Sequence, residues 1–164
     1  MTKTLFILIA GLTMGGCSSV TVKPLDASYK VKRICIRENP KVIVADLVPV
    51  ITDGLTRHHI QSVFIASNLD KEKLQDEDEL ADHYYMNITP APSSCDFSLT
   101  YTARQSWDFT TYLSSADIEI SNKTGDIAVA NYHLRNKGGL SLYKWQSVKT
   151  KIDPVMDQLL QFYK

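Results

Sequence analysis

Serine, histidine and aspartate, the residue types of a nucleophilic hydrolase, all occur in this chain of 164 residues. His133 is the candidate base, Asp82 and Asp108 are candidate acids, and several serines are candidate nucleophiles. The Gly-x-Ser-x-Gly turn that exposes the nucleophile in one large class of hydrolases does not occur. The sequence therefore predicts no catalytic residue, and a hydrolase using His133 is kept only as an alternative.

Metal-binding residue types are present at spacings that do not suit a metal. Asp76 and Asp78 resemble the start of a calcium loop, but residues 80–81 lack the polar ligand and the glycine that follow there. His58 and His59 are adjacent, so on a helix their side chains diverge by about 100° and do not easily share an ion. We expect them to end a helix, where a protonated imidazole suits the dipole. The sequence predicts no metal and no cofactor.

The start of the chain has the three parts of a secretory signal peptide. Lys3 is positive, residues 5–12 are almost wholly apolar, and small residues lead up to Cys17. About 12 residues of helix cover roughly 18 Å, too little for a hydrocarbon core of about 30 Å. We therefore predict that residues 1–16 are a removable targeting segment.

The cysteine at the end of this segment indicates which kind of signal it is. Met14-Gly15-Gly16-Cys17 resembles the lipobox of bacterial lipoproteins, with Met14 in place of the usual leucine. The resemblance implies a diacylglycerol on the Cys17 thiol, cleavage before Cys17, and acylation of the new amino terminus. Three acyl chains exceed what stable anchoring requires. An ordinary secretory signal and an uncleaved tail are the alternatives.

The residue after the cysteine bears on location. Ser18 stands where the lipoprotein sorting rule places Asp in proteins kept at the inner membrane. The resemblance therefore implies the periplasmic face of the outer membrane of a Gram-negative bacterium.

The two other cysteines, Cys35 and Cys95, form an even pair in an oxidising compartment. A disulfide between them would close a loop of about 60 residues and contribute roughly 4 kcal/mol in the chain-entropy model. The alternative is two buried thiols that act as small hydrophobic side chains.

The length and net charge of the mature chain are those of one ordinary globular domain. Removal of Lys3 leaves the mature chain close to neutral, so no basic excess indicates a nucleic-acid partner. A chain of this size buries about 68–70% of its unfolded surface and needs no metal to fold. We expect a lipidated cysteine and flexible tether over 17–30, and one periplasmic domain over 31–164.

The first half of that domain has the pattern of a βαβ unit. A strand is predicted over 31–37, a helix from Asn39-Pro40 with a kink or break at Pro49, and a second strand over 61–67. Such units join parallel strands by a right-handed crossover. The acidic segment 69–83 is predicted to be a solvated loop with a short helical turn.

The second half alternates as β-strands and ends in a helical pattern. Strands are predicted over 96–107, 112–121 and 127–134, with a turn at 122–126 and a final helix over 144–163. We therefore predict an α+β two-layer sandwich: a βαβ unit, a three-stranded antiparallel meander and a C-terminal helix. Its open face would carry a polar set: Ser98, Thr100, Thr102, Asp117 and Glu119.

Aromatic residues are concentrated near the first hairpin of this meander. Trp107, Phe109 and Tyr112 could form an apolar rim that binds a partner or lipid. The alternative is a hairpin corner packed on the core. Trp145 is expected to fill the core where the last helix begins.

Two long stretches, 98–120 and 138–160, resemble a family of small proteobacterial outer-membrane lipoproteins to which no activity is assigned. The likeness covers roughly residues 30–162 and both mature cysteines, while the acidic segment 69–83 is longer here. It implies an anchor and a disulfide, and no activity. The matching motifs are Tyr101-Thr102-Ala103, Ser106-Trp107-Asp108, Tyr112-Leu113, Gly138-Gly139-Leu140, Lys144-Trp145 and Asp153-Pro154.

We therefore expect a non-catalytic binding or structural module of the cell envelope, of unknown oligomeric state. Its partners would be the membrane, through lipid, and an envelope protein or lipid component. The element order is also similar to auxiliary lipoproteins of ABC-type lipid transporters and to the amino-terminal domain of the Tol-system propeller protein. An auxiliary subunit of a lipid-transport system is thus the second alternative, and it would need an apolar groove on the sheet.

Overall fold

The structure, a computed structural model, describes residues 18–66, 95–135 and 142–164. Cys17, the acidic segment 69–83 and the glycine pair 138–139 lie outside the described residues. The described elements are β1 (Ser18–Lys23), β2 (Arg33–Arg37), α1 (Leu47–Arg57), β3 (Gln61–Ile65), β4 (Ser98–Asp108), β5 (Thr110–Asn122), β6 (Gly125–Leu134) and α2 (Val148–Leu159), with 3₁₀ turns at Ala27–Tyr29 and Leu142–Trp145.

The described strands form one six-stranded sheet in the order β1-β6-β5-β4-β2-β3. β2 pairs in parallel with β3 and with β4, and the remaining neighbours are antiparallel. α1 connects β2 to β3, so the predicted βαβ unit is confirmed, as are the β4-β5-β6 meander and the C-terminal helix. The predicted two-layer α+β sandwich is the fold of this protein.

The N-terminal segment corrects one prediction. Residues 18–30 were expected to be a flexible tether, but Ser18–Lys23 is an edge strand paired with β6 from Leu134 onward. Leu25 is fully buried, and its amide donates to the carbonyl of Leu159 at 2.8 Å. The segment folds because its β-branched run Val20-Thr21-Val22 favours a strand, and its partly exposed side chains suit a sheet edge.

The start of α1 corrects a second prediction. Asn39 does not cap the helix; its side-chain amide donates to the carbonyl of Tyr101 at 2.9 Å. The helix begins eight residues later at Leu47, which places Pro49 in its first turn. Amides of the first turn have no intrahelical acceptor, so a proline there costs no hydrogen bond and causes no break.

The two helices pack closely over one face of the sheet. A Cβ built on Gly54 would lie 2.8 Å from the Cβ of Met156, so the absence of a side chain at residue 54 permits this crossing. α2 begins after Ser147, whose hydroxyl accepts from the amide of Thr150 at 3.1 Å and so caps the helix. Neither helix is long and apolar enough to cross a membrane.

The predicted disulfide is present. It joins Cys35 in the middle of β2 to Cys95, just before β4, with the two Cα atoms 6.0 Å apart. This separation lies within the usual range for disulfides. The bond ties the start of the meander to the βαβ unit, across 60 residues of sequence.

Candidate functional site

The tip of the β4–β5 hairpin carries the two most exposed aromatic side chains among the described residues. Asp108 pairs with Thr110, so Phe109 alone connects the two strands, and its φ is 59°. Phe109 is 82% exposed and Trp107 is 75% exposed. The alternative in which these two rings pack on the core is therefore wrong, and they form an aromatic tip on the surface.

Tyr112, the third residue of the predicted rim, does not belong to that tip. It lies opposite Ser106, whereas Trp107 lies opposite Thr111, so Tyr112 and Trp107 point to opposite faces of the hairpin. Tyr112 is only 6% exposed. Grouping Tyr112 with the rim overlooked the alternation of β5, in which Tyr112 has the same parity as the buried Ala116 and Ile118.

Two buried lysines support the hairpin from the helix side. Lys144 is fully buried, and its ammonium group donates to the carboxylate of Asp108. The same ammonium lies 5.3 Å from the ring centroid of Tyr112, within the range of a cation–π contact. The indole N–H of Trp145 donates to the Asp108 carbonyl at 3.2 Å, so Trp145 is half-buried against the hairpin and does not fill the core.

The second lysine caps backbone carbonyls. The Lys151 ammonium donates to the carbonyls of Leu113 and Lys144, at 3.1 and 2.8 Å. Burial lowers the pKa of Lys151. Charge-assisted bonds of this kind are stronger than neutral ones, and they fix the root of the hairpin below its exposed tip.

The aromatic tip lies at the same end of the sheet as the first described residue. Ser19, His133, Ser115 and Arg104 stand side by side across the four strands β1, β6, β5 and β4. Both the start of β1 and the β4–β5 turn lie beyond this row, in the same direction. The β5–β6 turn, where Gly125 has a φ of 128°, lies at the opposite end.

The open face of the sheet carries the predicted polar set, and its members bond to one another. The Asp117 carboxylate accepts from the hydroxyl of Thr102 at 2.9 Å and from the side-chain amide of Asn131 at 2.8 Å. The hydroxyls of Ser98 and Ser121 lie 3.0 Å apart. Where the structure describes this face, it is hydrogen-bonded and polar along the three meander strands.

The candidate hydrolase residues do not come together. His133 is exposed on β6 between Ser19 and Ser115, and the carboxylates of Asp108 and Asp117 are bonded to other side chains. Asp82 lies outside the described residues. The described part of the chain thus places serines beside His133 without the acid that would orient its imidazole.

His58 ends α1, as predicted, and His59 follows it in the left-handed region with a φ of 59°. The Nδ1 atom of His58 lies 2.6 Å from the Tyr163 carbonyl, and Nε2 lies 3.1 Å from the Asp157 carboxylate. Both ring nitrogens are therefore engaged in joining α1 to the end of the chain. Over residues 18–66, 95–135 and 142–164, no group of three or more metal-ligating residues could hold an ion.

Comparison with known proteins gives one structural likeness. No family model matches the chain, and no curated protein matches it. The 2.35 Å crystal structure of a minor lipoprotein from Acinetobacter baumannii is similar to it at a TM-score of 0.32 and 14% identity, over 81% of this chain and 89% of the other. A likeness at this level carries no argument about function.

The buried lysines were missed by the sequence analysis, although one signal was available. Lys151 falls on the apolar stripe of α2, between Val148 and Val155 at helical spacing. A lysine on such a stripe indicates a buried cation with acceptors nearby. No comparable pattern marks Lys144, because it lies in a 3₁₀ turn and its partner is 36 residues away.

Proposed function

We propose that this chain is a lipoprotein held on the periplasmic face of the outer membrane through lipid on Cys17, where it binds an envelope component without catalysing a reaction. The observation that carries the proposal is the apolar leader that ends in Met14-Gly15-Gly16-Cys17. The Cys17 thiolate is a stronger nucleophile than the neighbouring hydroxyl groups and could accept lipid.

The disulfide supports the proposed periplasmic location. Bonds between cysteines form and persist in oxidising compartments such as the periplasm, and they are rare in the cytosol. The pair Cys35–Cys95 joins β2 to the residues just before β4 and so ties the βαβ unit to the meander.

The exposed aromatic tip supports a binding role. Large apolar side chains at the surface commonly mark an interaction site, and the tip is held by the buried Lys144–Asp108 contact beneath it. The polar open face argues against the lipid-transport alternative, since that role calls for an apolar groove on the sheet.

The anchor is tested by intact-mass measurement and membrane fractionation of the full-length protein. Cys17→Ser should lack the mass of the acyl chains and leave the outer-membrane fraction, while Ser18→Ala should behave as the wild type. Ser18→Asp should keep the lipid mass and move toward the inner membrane. A Cys17→Ser protein with unchanged mass and unchanged fractionation would contradict the proposal.

Binding is tested by photo-crosslinking in intact envelopes. A photoreactive phenylalanine analogue in place of Phe109 should give discrete adducts. The matched control carries the analogue at Lys123, in the β5–β6 turn at the far end of the sheet, where the side chain is also exposed. Equal yields at both positions, or none at either, would refute a binding role for the tip.

A further inference from the structure

The folded domain starts immediately after the proposed anchor. Ser18, the residue that follows the proposed anchor in the sequence, is already paired with Leu134 in the sheet. A domain on a flexible tether of 13 residues could move on the order of 40 Å from the membrane. Without that slack, the end of the sheet that carries Ser18 must stay at the lipid surface.

The aromatic tip is placed to reach the same surface. From the strand register, Phe109 extends roughly 13 Å farther than Ser18 along the strand direction and is displaced roughly 12 Å to the side. A plane through both residues therefore crosses the strands at roughly 45°. With its strands inclined by this angle, the domain contacts one flat surface through Ser18 and Phe109 together.

The chemistry of the tip suits the boundary between lipid headgroups and acyl chains. Tryptophan is typical of that boundary, and phenylalanine is typical of the apolar side of interfacial segments. Exposed cations stand behind the rings, at Arg104 on β4 and at Arg135 just after β6, where they can face lipid phosphates.

The backbone conformation at the tip also supports a functional role for Phe109. Phe109 occupies the left-handed region, where glycine or asparagine is favoured and a bulky aromatic is an outlier. A residue that strains the turn and is 82% exposed contributes little to the stability of the hairpin. Strain of this kind is typical of residues kept for function.

We infer that Trp107 and Phe109 form a second membrane contact, which inserts into the phospholipid surface beside the acylated Cys17 and fixes the orientation of the domain. The inference rests on the lipid anchor of the proposed function. It assigns the β4–β5 tip to the bilayer and leaves the polar face and the β5–β6 turn toward the periplasm.

The test uses the full-length lipidated protein reconstituted into vesicles of phosphatidylethanolamine and phosphatidylglycerol, with part of the lipid brominated on the acyl chains. The chain has two tryptophans, so Trp145→Phe leaves Trp107 as the only indole. Its fluorescence should fall by roughly half or more in brominated vesicles, because an interfacial side chain sits about 5–10 Å into the headgroup–acyl boundary. Trp107→Phe is the comparison variant, in which the half-buried Trp145, held behind the tip by its bond to the Asp108 carbonyl, should be quenched clearly less than Trp107.

A further variant separates membrane contact from folding. Phe109→Asn, made in the Trp145→Phe background, suits the left-handed backbone and removes the ring, so it should fold at least as well and weaken the quenching of Trp107. Quenching that is equal for Trp107 and Trp145, or absent for both, would overturn the inference. Shielding of Trp107 from aqueous iodide that increases with protein density, without quenching by brominated lipid, would indicate a second copy of the chain and would also overturn it.

The measured mass distinguishes the two proposals before any fluorescence is recorded. Protein without acyl mass contradicts the anchor and with it the proposed function. Protein with full acyl mass but unquenched Trp107 contradicts only the membrane contact of the tip.

Discussion

Tyr132 provides the sharpest test of the energetics, because its hydroxyl is buried without a partner. The side chain is 2% exposed, and its oxygen has no hydrogen bond among the described residues. A buried polar group left unpaired costs about 1–3 kcal/mol. Tyr132→Phe removes that cost and leaves a small void, so we expect a net gain of about 1 kcal/mol in the free energy of unfolding, or roughly 3 °C in Tm.

The same residue predicts a pH dependence of known sign. Burial, reinforced by the neighbouring Tyr143, raises the pKa of Tyr132 to about 12 from its usual 10.0. Between these values the folded state keeps a proton that the unfolded state has lost, so stability falls as pH rises. At pH 11 the loss relative to pH 8 amounts to about 1.4 kcal/mol from this group. Tyr132→Phe should not show this loss. At pH 11 its free energy of unfolding should therefore exceed that of the wild type by about 2.4 kcal/mol.

Urea unfolding followed by tryptophan fluorescence at pH 8 and pH 11 measures both effects. Tyr163→Phe is the matched control, because the Tyr163 hydroxyl donates to the Asp26 carbonyl at 3.0 Å and accepts from the Val31 amide at 3.4 Å. Loss of these bonds should cost about 1 kcal/mol at pH 8. If Tyr132→Phe destabilises the protein as much as Tyr163→Phe does, the reasoning from the unpartnered hydroxyl is refuted.

Three further predictions concern the packing of the helices, the disulfide and stability in acid. Gly54→Ala should lower the free energy of unfolding in urea by about 1–3 kcal/mol because its Cβ meets that of Met156, and an unchanged urea midpoint would show that the two helices separate at no cost. Reduction of the wild type with dithiothreitol should lower stability by roughly 4 kcal/mol, and a Cys35→Ala/Cys95→Ala protein should show the same loss without responding to the reductant. The pKa of Asp157 lies below 3.8, because burial raises it less than the facing guanidinium and imidazole lower it, so its contribution is present above about pH 4 and lost on acidification. Asp157→Asn should therefore flatten the fall of the urea midpoint below about pH 4, and an unchanged slope would show that the carboxylate is not engaged.

The fold class could be read from the sequence because its signals are local and periodic. Alternation over β4 to β6 and the helical spacing of α2 each place apolar residues on one face, which packing then buries. The start of α1 was misplaced because Asn39-Pro40 has the residue types of a helix start, while the decisive contact is the bond of Asn39 to Tyr101, distant in sequence. Local patterns do not contain such contacts.

In the candidate site, too, some features could be predicted from local sequence patterns and others depend on contacts distant in sequence. Exposure of Trp107 and Phe109 follows from their place at a tip, which the hairpin pattern indicated in outline. The burial of Tyr112 follows the alternation of β5, but its contact with Lys144 comes from a later turn of the chain and could not be read from a local pattern. The edge strand Ser18–Lys23 was missed because its β-branched run is short and its partner β6 is the last described strand along the sequence.

The edge position of β1 has a mechanical consequence. If Cys17 carries the acyl chains, any force that lifts the lipid out of the bilayer acts at the first residue of a strand whose six residues each face a partner on β6. The ladder bonds run across the strands, so tension along β1 loads them in parallel rather than one after another. A pull on the lipid is therefore transmitted through β1 to the rest of the sheet, and the whole domain moves with it.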